Sequence, residues 1–147
     1  MTMKQLVLIL FLLVMLGTAV ACGAQTETAA PAPAAEVELG ETLDLADTVD
    51  VQTVASIKDR SDVIVLDVRE QWEYDEGHIP GVTLIPMGEV PDRLAEIPTD
   101  KEVIVTCRSG NRSGQITDYL RQQGFDNVHN MDGGILAWEA AGYEVEQ

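Results

Sequence analysis

Two short runs, Val63-Ile64-Val65-Leu66 and Val103-Ile104-Val105-Thr106, constrain this chain more than any other feature. Neither alternates with polar residues, so each reads as a strand buried on both faces, the condition of a parallel sheet covered by helices. Helical spacing appears around them. Val51 to Lys58 puts Val51, Val54, Ala55 and Ile57 within one short helix, with Asp50 as its N-cap. Val90 to Ile97 predicts a second helix, with Pro91 tolerated in its first turn. Ser113 to Gln123 spaces Ile116, Tyr119 and Leu120 helically and ends at Gly124, a C-terminal cap residue. Ile135 to Ala141 predicts a last helix, stopped by Gly142. Val82 to Ile85 and Asn127 to Met131 add short strands, and Gly77, Pro80 and Gly81 mark a loop. Strands and helices alternate, so the expected fold is α/β, with a mostly parallel sheet flanked by helices on both faces.

The beginning of the chain has a different composition. Lys4 precedes an unbroken apolar run from Leu6 to Leu16, then Gly17-Thr18-Ala19-Val20-Ala21 before Cys22. A basic start, an apolar core and a small-residue end describe a secretory signal. Leu6 to Ala21 is short for a membrane span, which needs about 20 apolar residues. The ending Ala19-Val20-Ala21-Cys22 resembles a bacterial lipoprotein signal, in which the Cys becomes the lipidated first residue, although that signal most often has Leu where Ala19 stands. An uncleaved anchor and ordinary secretion are the alternatives. Gly23 to Ala35 has two prolines and no large apolar residue, so it cannot bury enough surface to offset chain entropy and reads as a tether. Glu36 to Val49 is ambiguous between an edge strand and a turn of helix. The expected organisation is a signal peptide over 1–21, a lipidated Cys22 with an acidic, Pro/Ala-containing tether over 22–45, and one domain over 46–147. The domain would then be exported, facing the periplasm or the cell exterior from the cell membrane or the outer membrane.

Charge narrows the partners. The formal net charge is −16; seven acids and no base lie between Cys22 and Ile57, and 18 acids oppose 8 bases from Lys58 onward. Such a surface repels nucleic acid and anionic headgroups, which leaves the lipid anchor as the expected membrane contact. Its plainest role is solubility. Of the two cysteines, Cys22 is consumed by processing in this scheme, so Cys107 has no partner in the chain. A lone thiol in an exported protein points to intermolecular pairing or to reactivity.

The segment around that thiol carries the chemistry. Thr106-Cys107-Arg108-Ser109-Gly110-Asn111-Arg112-Ser113 joins a buried strand to a helix, and in an open α/β sheet sites form beyond the carboxyl ends of strands. The N-terminus of the following helix, with Arg108 and Arg112, favours thiolate over thiol, and the thiolate is the nucleophile. Gly110 permits a positive φ or close backbone approach. Successive backbone N–H groups would cradle an anion, either the thiolate or the outer sulfur of a persulfide. The chemistry then expected is a double displacement: Cys107 takes a sulfane sulfur from a donor and yields it to a thiophilic acceptor, with no separate general base.

The blocks Asp67-Val68-Arg69-Glu70, Trp72-Glu73-Tyr74, Gly77-His78-Ile79-Pro80-Gly81, Ile85-Pro86, Cys107 to Ser113, and Asp132-Gly133-Gly134 to Trp138 resemble, in order, the rhodanese-like domain. They span nearly all of the chain from Val51 to Tyr143. The resemblance implies a five-stranded parallel sheet with flanking helices and a Cys107 nucleophile. It implies substrate held by the amides of Arg108, Ser109, Gly110, Asn111 and Arg112. It also implies that Arg112 pairs with an acid from the Asp67 to Glu73 segment, making Asp67, Arg69 and Glu73 the candidates for bracing the loop. Tyrosine and dual-specificity phosphatases, and the phosphatases built on this same fold, place one more residue between Cys and Arg than the four found here, and Ser113 stands where their Arg would. The shorter ring suits one sulfur atom better than a tetrahedral phosphate.

The remaining polar and aromatic residues have plainer readings. Asp67 and Arg69 brace a strand end rather than touch substrate, and His78 is a structural hydrogen-bonding residue. His129 carries no motif and reads as a surface residue. Trp72 and Trp138 read as packing residues, with the pocket mouth as an alternative for Trp72. Two His and one Cys in the domain offer no metal-ligand spacing, and no cofactor is expected. Two functions follow: a sulfurtransferase using thiosulfate or a persulfide with a thiol or cyanide acceptor, or a sulfane-sulfur carrier or sensing module serving a protein thiol partner.

Overall fold

The computed structural model describes residues 43–147; the predicted signal peptide, the lipidation candidate Cys22 and the tether as far as residue 42 lie outside the described residues. The chain enters at β1 (Thr48–Val49) and turns at once into α1 (Val51–Ile57). Asp50 caps that helix, its carboxylate accepting from the Thr53 N–H at 2.7 Å. There follow β2 (Val63–Asp67), α2 (Gln71–Glu76), β3 (Thr83–Leu84), two 3-10 turns (Val90–Asp92 and Leu94–Glu96), β4 (Glu102–Thr106), α3 (Asn111–Gln122), β5 (Val128–Met131) and α4 (Gly134–Ala140). The five strands lie in the order β1-β5-β4-β2-β3, and every pairing is parallel.

Side-chain alternation along the strands builds two cores. Val63, Val65 and Ile104 face α1 and α4, where they pack with Val54, Ile57, Ile135 and Trp138. Leu66, Val103 and Val105 face the other way, against Ile116 and Leu120 of α3 and against Val90 and Ile97. Cys107, two residues beyond Val105, belongs to this second core. Leu43 and Leu45, placed by the sequence reading at the end of the tether, pack against the first core.

Three expectations differ from what is observed. The helix predicted over Val90 to Ile97 is two 3-10 turns, because Ile97 precedes Pro98 and is extended, leaving too short a stretch to propagate an α-helix. Helix α2 has no counterpart among the predicted elements: its only buried residue is Glu73, so it carries no apolar period, and it is started instead by a capping box between Glu70 and Glu73. His129 is a buried residue of β5, not a surface one. Its Nδ1 lies 2.8 Å from the Ala46 carbonyl oxygen and its Nε2 2.8 Å from the Glu102 carboxylate, so both ring nitrogens have partners inside the fold.

Because β3 lies on one side of β2 and β4 on the other, the chain reverses its winding direction between β2 and β4. The carboxyl ends of those two strands, in register at Asp67 and Thr106, open the crevice where α/β folds place their sites.

Candidate active site

Beyond Thr106 the chain leaves the sheet and coils around the Cys107 sulfur before α3 begins at Asn111. Cys107 is 1% exposed and makes no disulfide. The Gly110 N–H donates to Sγ at 3.2 Å, and the Ser113 hydroxyl lies 3.4 Å from it. Gly110 achieves this in the left-handed region, at φ +91°, where a side chain would be strained. Burial pushes the Cys107 thiol up. The Ser113 hydroxyl, followed by the backbone N–H groups of Ser113, Ser109 and Gly110, outweighs it and holds the thiol below its ordinary value.

The loop is mounted from below by the Gly133-Gly134 pair. The Ile135 N–H donates to the Cys107 carbonyl at 2.9 Å and the Leu136 N–H to the Arg108 carbonyl at 3.1 Å. A Cβ on Gly134 would collide with the Cys107 carbonyl oxygen and fall 2.6 Å from the Arg108 carbonyl carbon, so α4 reaches the loop only because this residue has no side chain.

From the side it is clamped by a bidentate pair, Arg112 to Glu73 at 2.6 and 2.7 Å, joining α3 to α2. The Arg112 guanidinium holds the Glu73 carboxyl down to about 2, well below the usual carboxylate range. Glu73 is therefore the acid partner that the sequence located only within a segment. Hydrogen-bond donors lead in lowering the thiol, and the Arg112 guanidinium, though paired with Glu73, still attracts the Cys107 thiolate. Asp67 and Arg69 stand one step behind. Arg69 donates to both oxygens of Asp67 at 2.7 to 3.1 Å, to the Glu73 carbonyl at 3.1 Å and to the Gly77 carbonyl at 2.9 Å. They fix the backbone that carries Glu73 and make no hydrogen bond to the Cys107 loop.

A cleft of about 320 Å³ opens beside the loop, lined by Arg69, Trp72, Glu73, Arg108, Leu136 and Glu139, among others. Trp72 is 62% exposed there, which corrects its reading as a packing residue in favour of the pocket mouth, whereas Trp138 is buried in the core. His78 is structural: it stacks on Tyr74, and its Nδ1 lies 3.0 Å from the Tyr74 carbonyl. Sequence reasoning missed the roles of Ser113, Asn130 and the glycine pair. Ser113 and the glycines stand inside the family-like blocks with no role attached, and Asn130 has no local signal. Its Oδ1 lies 2.6 Å from the Ser113 hydroxyl. Among the described residues, no group of three or more His, Cys, Asp or Glu is arranged to hold a metal ion.

A buried thiol with a lowered pKa and hydrogen-bond donors around it, in a loop whose Arg108 lines a cleft, can act as a nucleophile. The profile described as "Rhodanese-like domain" matches residues 50–141. The chain belongs to the rhodanese-like family. A protein named "Sulfurtransferase" from Allochromatium vinosum is 43% identical over 89 residues, 60% of this chain and 83% of that one. "Thiosulfate sulfurtransferase GlpE" from Pseudoalteromonas translucida is 34% identical over 93 residues, 63% of this chain and 89% of its own length. Among solved structures, a rhodanese-related protein from Thermoplasma volcanium superposes with a TM-score of 0.63 at 31% identity, over 69% of this chain and 98% of that one. The five-stranded parallel sheet with its helices is thus the fold of this family, and the rhodanese-like domain here has a sulfur-transfer role of the type its relatives are named for.

Proposed function

We propose that this rhodanese-like domain is a sulfurtransferase working through a persulfide on Cys107. The observation that carries the reading is the Cys107 sulfur itself, buried, lowered in pKa and facing the Gly110 N–H and the Ser113 hydroxyl in a loop held by Arg112–Glu73. In the first half-reaction the Cys107 thiolate attacks the outer sulfur of the donor. A new S–S bond forms, the donor's S–S bond breaks, and sulfite leaves from thiosulfate or a thiolate leaves from a persulfide. In the second, an acceptor thiolate or cyanide attacks the terminal sulfur, and Cys107 departs as thiolate. The amides of residues 108–112 would hold the added sulfur's negative charge, extending the Ser109, Gly110 and Ser113 N–H groups that face the thiolate.

The cleft favours an organic persulfide over thiosulfate. Trp72 and Leu136 are 62% and 41% exposed beside it, an apolar rim that an inorganic dianion leaves uncovered, and Glu76 and Glu139 add negative charge to its lining. From the leader sequence we further propose that the protein is exported and anchored through a lipidated Cys22, with the residues before Leu43 serving as the tether and the domain facing the periplasm or the cell exterior.

The test is cyanolysis by the purified protein, with thiosulfate and with glutathione persulfide as donors, beside Cys107→Ser. Turnover together with a one-sulfur mass increase on the Cys107 peptide is expected, both absent in the variant. No turnover and no added sulfur would reject the reading. A stable sulfur adduct without turnover would instead make the protein a carrier for a protein thiol partner. Palmitate labelling lost in Cys22→Ala supports the anchor; unchanged labelling removes it.

A further inference from the structure

The Ser113 hydroxyl is fully buried and has two neighbours competing for its one hydrogen. Cys107 Sγ lies at 3.4 Å and Asn130 Oδ1 at 2.6 Å. A hydroxyl donates once, so both cannot be served in this arrangement. With Asn130 Oδ1 taking the hydrogen, the hydroxyl turns its lone pairs toward the sulfur. That suits a neutral thiol, whose S–H can donate to Ser113, but places lone pair against negative charge when the sulfur is an anion.

The two ends of an amide side chain are nearly the same size and differ in hydrogen-bonding sense. Asn130 is held in the sheet with Thr48 and Val105 opposite it in register, and its N–H donates to the Asp47 carbonyl at 3.0 Å. Its Nδ2 makes no hydrogen bond with a described residue, so turning the amide over breaks none on that side. After the turn, Nδ2–H donates to Ser113 Oγ, and the Ser113 hydrogen is released toward Cys107.

We propose that Asn130 is a positioning residue for the reactive sulfur: its amide presents Nδ2 to Ser113 when the sulfur is anionic, directing the Ser113 hydroxyl at the thiolate. The hydrogen-bond chain then runs from Asn130 through Ser113 to Cys107, and each bond polarises the next. The inference rests on the reading of Cys107 as the reactive thiol and adds what poises it. The charged groups around the sulfur are the Arg112–Glu73 pair from α3 and α2, Arg108 in the loop, and the Asp67–Arg69 pair at the end of β2; α4 contributes backbone N–H groups. None of them contacts Asn130 or Ser113 by hydrogen bond or ion pair, so the chain can be tested apart from them.

The experiment is the pH dependence of iodoacetamide alkylation of the full chain, read by mass spectrometry on the Cys107 peptide. It compares wild type, Ser113→Ala, Asn130→Asp and the double variant. Ser113→Ala should raise the alkylation midpoint by about one pH unit. Asn130→Asp accepts and cannot donate. With Ser113 present it should therefore raise the midpoint further than it does in the Ser113→Ala background, where only its charge acts. Equal shifts in the two backgrounds would overturn the inference and leave the reactive-thiol reading intact. A wild-type Cys107 that is not alkylated at any pH would overturn both. If Asn130→Asp does not fold, judged by circular dichroism, Asn130→Ala is put through the same cycle: its effect should vanish in the Ser113→Ala background, and persistence would count against the chain.

Discussion

The ends of β2 and β4 lie side by side, Asp67 opposite Thr106, yet they finish in opposite ways. At the end of β2 the charges cancel among themselves. Asp67 and Arg69, with side chains 2% and 5% exposed, form a closed pair, and Arg69 spends its remaining donors on the carbonyls of Glu73 and Gly77. At the end of β4 donors gather around one sulfur, and the nearby Arg112 is committed to Glu73. Side chains close the first end. Backbone N–H groups and one hydroxyl shape the second. A closed ion pair and a donor-lined thiol can thus be adjacent in the same sheet, distinguished by whether side chains or backbone groups supply the polar partners.

The strongest way to break that contrast is Gly134→Ala. The added Cβ would collide with the Cys107 carbonyl, and displacing the loop by about 1 Å should lower sulfur transfer on the order of 100-fold, measured by cyanolysis. At the other strand end, Arg69→Met leaves the buried Asp67 carboxylate without its partner and should destabilise the domain by about 3–5 kcal/mol, read from the urea midpoint.

The clamp between the two ends titrates. Glu73 is held at about 2 in the folded chain against a value of 4.5 without its partner. Its contribution is therefore complete above the unfolded value and is lost as pH falls through the interval from 4.5 toward 2. Urea titrations of wild type across that interval should lose up to about 3 kcal/mol that Glu73→Gln does not lose, being already without it. The smallest effect is expected one turn past Ser113. Thr117 Oγ1 is buried with no hydrogen-bond partner among the described residues, so Thr117→Val should stabilise by about 1 kcal/mol, seen as a raised Tm with sulfur transfer unchanged.

Much of this was legible in local pattern. Val63 to Leu66 and Val103 to Thr106 announce buried parallel strands, and the Asp50 cap and the helices around Val54 and Leu120 follow from spacing. The Cys107 loop was visible as the segment joining a buried strand to a helix, down to Gly110 and its positive φ. What escaped lacks such a pattern. Helix α2 buries a carboxylate in place of an apolar stripe, and the segment after Val90 is cut short by Pro98. His129 looks like a surface residue until Ala46 and Glu102 are brought to its two nitrogens.

The amino-acid order alone determined the layer architecture, the place of Cys107 at a strand end and the size of its ring, because each depends on residues within a few positions of one another. Tertiary structure decided which acid meets Arg112, that Asn130 stands behind Ser113, and that Gly134 carries the loop. Glu73 is 39 residues from Arg112 and Asn130 is 17 from Ser113. Contacts at that separation are made only when the strands pair, and no local preference encodes them.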